Sequence, residues 1–222
     1  MKRASKVTDS TKELTDLAQR ACLIAKDAAF NVKDFIINSS NIAYIAITQC
    51  EKELDQIERQ IDESIPAAIT QVTESEARQL LACLKFIIDL ERIGDLLWSA
   101  SQRLHDLTEP LPQADKRSFV EMSEVLQRML EQVYKSFTTR DVVLANSVLE
   151  NDTSVDRLCH QVFRRYLNDT SGRRSADGMN ILLTAQAFER AGDHSKNLAE
   201  EVFHLVQGHS LRHRTRRKPE QR

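Results

Sequence analysis

Chain breakers and aromatic residues are scarce in this sequence. Only 5 glycines and 4 prolines punctuate 222 residues, and Phe, Tyr and Trp together make up 5%. Sheets draw on aromatic and β-branched side chains, so the shortage argues against strands and for long helices. Long apolar runs are missing as well. Stretches such as Phe35–Ile37 and Phe86–Ile88 fall far below the roughly 20 residues a membrane span requires. The opening MKRASKVTDSTKEL is basic but has no apolar segment behind it, so no signal peptide is expected. Neither sign of charge dominates: 31 basic residues face 33 acidic ones, a net charge of −2. General attraction to nucleic acid or to an anionic membrane is therefore not expected. Cys22, Cys50, Cys83 and Cys159 are scattered, without C-x-x-C spacing. They read as small buried or half-buried side chains in a reducing, cytoplasmic compartment.

What the sequence does have is charge, 29% of all residues, and a repeat. Glu91-Arg92-Ile93-Gly94-Asp95 returns as Glu189-Arg190-Ala191-Gly192-Asp193, a shift of 98 residues. Each copy is preceded by two acids one helical turn apart: Glu51 and Asp55 in the first half, Asp152 and Asp156 in the second, offset by 101 residues. Two motifs thus recur in the same order and at nearly the same spacing.

Punctuation and apolar periodicity predict helices over 9–36, 41–64, 73–106, 115–138, 141–168 and 175–207. Asn38-Ser39-Ser40 separates the first two, and Ser64-Ile65-Pro66 is read as closing the second. Thr108-Glu109-Pro110-Leu111-Pro112, with its paired prolines, marks the boundary between halves. Thr138-Thr139-Arg140-Asp141 and Thr170-Ser171-Gly172 divide the second half. Short links between long helices imply antiparallel neighbours. The expected fold is therefore all-α: two tandem three-helix bundles built on a repeat of about 100 residues. The first spans 1–108 and the second 109–210, followed by a basic tail at 211–222. That tail, LRHRTRRKPEQR, lacks an apolar pattern after Leu211 and is expected to be a disordered solubilising segment.

Acid pairs four residues apart arise by chance several times in a chain with 33 acids, so placement has to carry the weight. In the third helix the apolar stripe runs Leu80, Leu84, Ile87/Ile88, then Glu91, then Trp98. Glu91 lies seven residues from both Leu84 and Trp98, at a position that patterning assigns to the bundle interior. Glu189 likewise follows Leu182 by seven. Glu51 and Asp55 flank the stripe Ile47, Cys50, Leu54, Ile57, Ile61, and Asp152 and Asp156 flank Val148, Val155 and Val162. Helices packed about 8–10 Å apart can turn such carboxylates toward one another. Like charges would then repel and be desolvated, unless a salt-bridge network or a bound cation neutralises them. Lys52, Arg92, Arg157, Arg190 and Lys196 are available for the first solution. Oxygen-only ligands favour Mg²⁺, Mn²⁺, Ca²⁺ or iron for the second.

Gly94 and Gly192 precede the repeated Asp inside helices, where glycine costs roughly 1 kcal/mol relative to alanine. A small residue there twice implies close approach of a backbone or an ion. His194 follows Asp193 but points about 100° away around the helix, toward solvent or the outer contacts of the acids.

This ordered fourfold set, E-R-x-G-D twice with acid-x-x-x-Asp on each preceding helix, resembles the PhoU family of phosphate-transport accessory proteins over about residues 10–207. The resemblance implies multinuclear sites for divalent or trivalent metal ions, namely iron, zinc, magnesium or manganese. Their ligands would be Glu51, Asp55, Glu91 and Asp95 in the first bundle and Asp152, Asp156, Glu189 and Asp193 in the second. The family commonly has Asn four residues after the last Asp. Asn197 matches, whereas Ser99 stands in the first half and Trp98 corresponds to Lys196. The two sites need not bind metal equally, and the second is expected to follow the family more closely. The resemblance also implies regulation of phosphate uptake and phosphate-starvation signalling through contact with the ATPase of a phosphate transporter and a phosphate-sensing histidine kinase. Membrane contact would be peripheral, through those partners, and a homodimer is expected.

Two other classes compete. A metal-free helical adaptor would share the same pattern. A di-iron carboxylate enzyme would need two Glu-x-x-His motifs on inward-facing helices. Only Glu201-x-x-His204 is present, and Glu91 and Glu189 are each followed at the third position by Gly. No nucleophile arrangement or phosphate-cradling loop is visible, so no catalytic activity is expected.

Overall fold

The computed structural model describes residues 2–167 and 176–208, with side chains from residue 10 onward. Six helices make up these residues, with no strand among them: α1 (Lys2–Asn38), α2 (Asn41–Ile69), α3 (Glu74–His105), α4 (Gln113–Thr139), α5 (Val142–Leu167) and α6 (Ala176–Gln207). The all-α expectation holds. Thr170-Ser171-Gly172 and the basic tail from Leu211 lie outside the described residues.

Local chemistry sets the turns. Ser39 takes a left-handed φ of 51°, and the Ser40 hydroxyl accepts from the Ala43 amide at 3.1 Å to start α2. Thr73 and Glu76 form a reciprocal capping box at the head of α3. Arg140 closes α4 with φ 61°, and the Asp141 carboxylate accepts from the Val143 amide at 2.8 Å. The segment between halves is pinned from afar: Thr108 and Glu109 donate three hydrogen bonds of 2.7–3.1 Å to Asp177 on the first turn of α6.

Two helices run longer than their sequence signals. α1 begins at Lys2 rather than residue 9. α2 does not stop at Ser64-Ile65-Pro66 but passes through Pro66 to Ile69. Proline in the last turn removes only one helical hydrogen bond, and Ile65, 6% exposed, holds that turn against the core.

Within each half three helices pack together as expected. The halves do not stand apart, however. α3 lies antiparallel along α6, and α1 packs on α4. Phe86 of α3 stacks on Phe137 of α4 at 4.2 Å, inside one apolar core that runs through both bundles. The order α2, α3, α6, α5 forms one layer, with α1 and α4 beneath it. Three seams result: α2/α3, α3/α6 and α5/α6. Helix α5 is tied to α4 by buried Asp115, which accepts from Arg165 Nε at 2.9 Å, Arg165 Nη2 at 2.7 Å and the Tyr166 hydroxyl at 2.8 Å.

Candidate metal centre

The α2/α3 seam is built by a glycine. A Cβ added at Gly94 would stand 2.6 Å from Leu54 Cδ1 and 3.8 Å from the Glu51 Cα, so the missing side chain lets the two helices close on each other. Closure brings the acids of the ERIGD turn against those of α2. One carboxylate oxygen from each of Asp55, Glu58 and Glu91 lies within 4.8 Å of the other two. Glu91 is only 12% exposed in its side chain, and its Oε2 is buried and accepts no hydrogen bond. Arg92 Nε lies 3.5 Å from that oxygen as an ion-pair neighbour, with the arginine itself 56% exposed.

The electrostatic consequence falls on Glu91. Burial pushes its carboxyl from 4.5 up to about 7, helped by Asp95 and Glu58 and opposed by Arg92. Glu51 is also raised, first by burial and then by Asp55 and Asp95. Asp55 and Asp95 sit toward the rim, paired to Arg59 at 2.8 Å and Arg92 at 3.3 Å. Half-buried oxygen donors converging on one point, one of them accepting no hydrogen bond, fit a hard or borderline cation. Glu58 is absent from the sequence reading. It lies seven residues after Glu51 and three after Asp55, so helical spacing puts it on the same face.

The α5/α6 seam has the same frame and different contents. A Cβ added at Gly192 would stand 3.1 Å from Asp152 Oδ1. Asp152 is 2% exposed, its Oδ1 accepts no hydrogen bond, and its Oδ2 accepts one from Lys196 Nζ at 3.0 Å. Burial raises the Asp152 carboxyl while Lys196 opposes the rise, and bonding to Asp152 raises Lys196 in turn. Glu189 is half-buried and raised by burial, then by Asp193, Asp156 and Asp152. Asp156 is half-exposed and Asp193 exposed. Where the first half has Glu58, the offset of 101 residues puts buried Cys159. Its thiol is pushed up to about 11 by burial, with Glu189 and Asp156 adding to the rise. Among the described residues, Asp55, Glu58 and Glu91 form the one group of three convergent donors.

Asn197 is turned to the middle seam. Its amide donates to Asp89 Oδ1 of α3 at 3.4 Å, and His194 Nδ1 meets the same oxygen at 2.7 Å. His194 thus faces the other half of the molecule, where a reading of α6 alone pointed it to solvent or the neighbouring acids. On the same seam Lys85 Nζ pairs with Glu201 at 2.9 Å, and Glu201 contacts His204 at 3.3 Å. The lone Glu-x-x-His is therefore engaged with a lysine. Ile88, assigned to the interior stripe, is 44% exposed instead. The four cysteines are free, Cys50 half-buried and the others buried, and burial raises every thiol. None is a thiolate at neutral pH.

The PhoU domain is matched twice in this chain, over residues 19–104 and 119–202. The chain belongs to the PhoU family. It is 31% identical over 199 residues to a phosphate-specific transport system accessory protein PhoU homolog of Pseudomonas aeruginosa, covering 86% of this chain and 81% of that one. A homolog of the same description from Zymomonas mobilis is 27% identical and covers 98% of this chain and 97% of its own length. The fold is shared with the crystal structure of PhoU from Pseudomonas aeruginosa: TM-score 0.71, 24% identity, covering 93% of this chain and 98% of that one. It is shared equally with the phosphate transport system regulatory protein PhoU from Streptococcus pneumoniae, at TM-score 0.75 and 18% identity, covering 94% and 99%. The double match agrees with the tandem repeat read from ERIGD and ERAGD.

Proposed function

We propose that this chain is a metal-binding accessory regulator of phosphate transport that works by protein contact rather than by catalysis. The observation that carries the metal reading is the convergence of Asp55, Glu58 and Glu91, with Glu91 Oε2 buried and accepting no hydrogen bond. A cation there would satisfy that oxygen and cancel repulsion across the α2/α3 seam. Asp55, Glu58 and Glu91 would hold it directly, with Glu51 and Asp95 on either side. The ion would supply charge neutralisation and a rigid, fixed surface on that seam. Iron, manganese, magnesium and zinc are the candidates, with the oxygen donors favouring the first three.

The phosphate reading rests on the relatives, which are described as accessory proteins of the phosphate-specific transport system. Within that role we propose contact with the transporter's ATPase and with a phosphate-sensing histidine kinase, and a place in the cytoplasm. No described helix is long and apolar enough to cross a membrane, in keeping with attachment through partners. A homodimer belongs to the same reading, and sedimentation equilibrium measures it.

Deleting the gene in its native host is the test. Phosphate-starvation genes are expected to switch on in phosphate-rich medium, and the wild-type chain is expected to silence them again. A double variant Glu58→Gln plus Glu91→Gln that folds but fails to silence them would tie the metal seam to regulation. Normal repression in the deletion strain would refute the phosphate assignment.

A further inference from the structure

The repeat invites the assumption that both halves do the same thing, and the side chains argue otherwise. Each half has an acid-lined seam closed over a glycine. In the first, five carboxylates gather: Glu51, Asp55, Glu58, Glu91 and Asp95. In the second there are four, because Cys159 takes the place of Glu58. At the matching end of the helix, seven residues after the glutamate of each motif, the first half has Trp98 and the second Lys196. Trp98 is turned into an aromatic cluster, 5.3 Å from Tyr44. Lys196 reaches back across its seam to Asp152, the most deeply buried of these acids.

We propose that Lys196 is a built-in counter-cation for the second carboxylate cluster and confines metal loading to the first. The inference rests on the metal reading above for its first half but stands on separate residues. An ammonium 3.0 Å from Asp152 Oδ2 occupies that oxygen and repels an incoming divalent ion at close range. The other oxygen, Oδ1, faces the α6 backbone at Gly192. The rest of the cluster is less concentrated, since Asp193 is exposed and the buried thiol of Cys159 replaces a carboxylate. In the first seam the arginines, Arg59 and Arg92, are themselves more than half exposed and hydrogen-bond the rim carboxylates Asp55 and Asp95. Arg92 Nε also comes within 3.5 Å of Glu91 Oε2 without hydrogen-bonding to it. Each seam therefore keeps one buried carboxylate oxygen without a hydrogen bond, but only the second has a cation bonded to the same carboxylate. The two halves thus solve one problem in two ways, with a covalently attached cation in one and a site for a free cation in the other.

Mn²⁺ titration of the full chain, read by electron paramagnetic resonance and calorimetry, tests this in four proteins. Wild type is expected to bind Mn²⁺ in a way that Glu58→Gln plus Glu91→Gln abolishes and Asp152→Asn leaves unchanged. Lys196→Met is expected to add a second class of site, at least about tenfold tighter than any second-half binding in wild type, and adding Asp152→Asn to it is expected to remove that class. Loss of wild-type Mn²⁺ on Asp152→Asn alone would overturn the inference while leaving the metal reading intact. So would a folded Lys196→Met protein with no gain. If wild type binds no Mn²⁺ but Lys196→Met does, the metal reading of the first seam falls and the role of Lys196 stands. Should Lys196→Met not fold, the Asp152→Asn arm in the wild-type background decides alone.

Discussion

Glu91→Gln removes the charge at the centre of the α2/α3 seam while keeping shape and one acceptor, and in the metal-free protein it should stabilise. The carboxyl of Glu91 titrates at about 7 in the folded chain against 4.5 for an ordinary glutamate. At full strength that rise corresponds to about 3 kcal/mol. Burial is the main cause of that rise, but the seam opens to solvent at Asp95, 42% exposed, and Arg92 opposes the rise, which leaves about 1 kcal/mol. For a chain of this size the equivalent change in Tm is about 2–4 °C. The sign follows from linkage: the folded state holds the proton more tightly, so stability is lost as pH rises from about 4.5 to about 7 and stays lost above it. Thermal unfolding followed by circular dichroism in chelator is the assay. Glu91→Gln should raise Tm by that amount at pH 8 and by clearly less at pH 5, where Glu91 is still protonated in the folded protein. A variant less stable than wild type at pH 8, or an equal shift at both pH values, would refute the reasoning.

Metal binding should show the same group from the other side: affinity for Mn²⁺ should climb between pH 5.5 and 7.5 with release of a proton, seen as a buffer-dependent heat in calorimetry. Gly94→Ala should destabilise by about 1 kcal/mol net, the clash with buried Leu54 outweighing the gain in helix propensity. Gly192→Ala should be close to neutral, since its nearest neighbour is a carboxylate oxygen at 3.1 Å, and urea unfolding of both compares them directly. Asp115→Ala should cost about 2–3 kcal/mol in the same experiment, because it removes two hydrogen bonds from the Arg165 guanidinium, 33% exposed, and one from the Tyr166 hydroxyl at a buried carboxylate.

The helices and the repeat were legible because their causes are local. Gly, Pro and Ser/Thr/Asn/Asp clusters punctuate the chain, and seven-residue spacing puts Glu91 on an otherwise apolar stripe. Pro66 misled for the opposite reason, since packing of Ile65 against the core outweighs the local breaker. Glu58 was within reach of helical spacing from Glu51 but stands outside the repeated motif, and its second-half counterpart is Cys159. What periodicity could not supply is the contact between halves. Ile88 sits on a helix face that the other bundle does not cover, and His194 and Asn197 turn to Asp89 only because α6 lies along α3. Likewise, Lys196 and Trp98 hold equivalent positions in the repeat. Their divergence acquires meaning once Lys196 is found bonded to Asp152 and Trp98 packed at a tilt against Tyr44.

The central claim is that the first seam holds a metal ion between carboxylates that would otherwise repel. Crystals of the full chain grown with Mn²⁺ and measured at a wavelength with strong manganese anomalous scattering test it most directly. An anomalous peak about 2.0–2.6 Å from oxygens of Asp55, Glu58 and Glu91 is the predicted result. Saturating Mn²⁺ with no peak in that seam, or peaks only at other carboxylates, would contradict it.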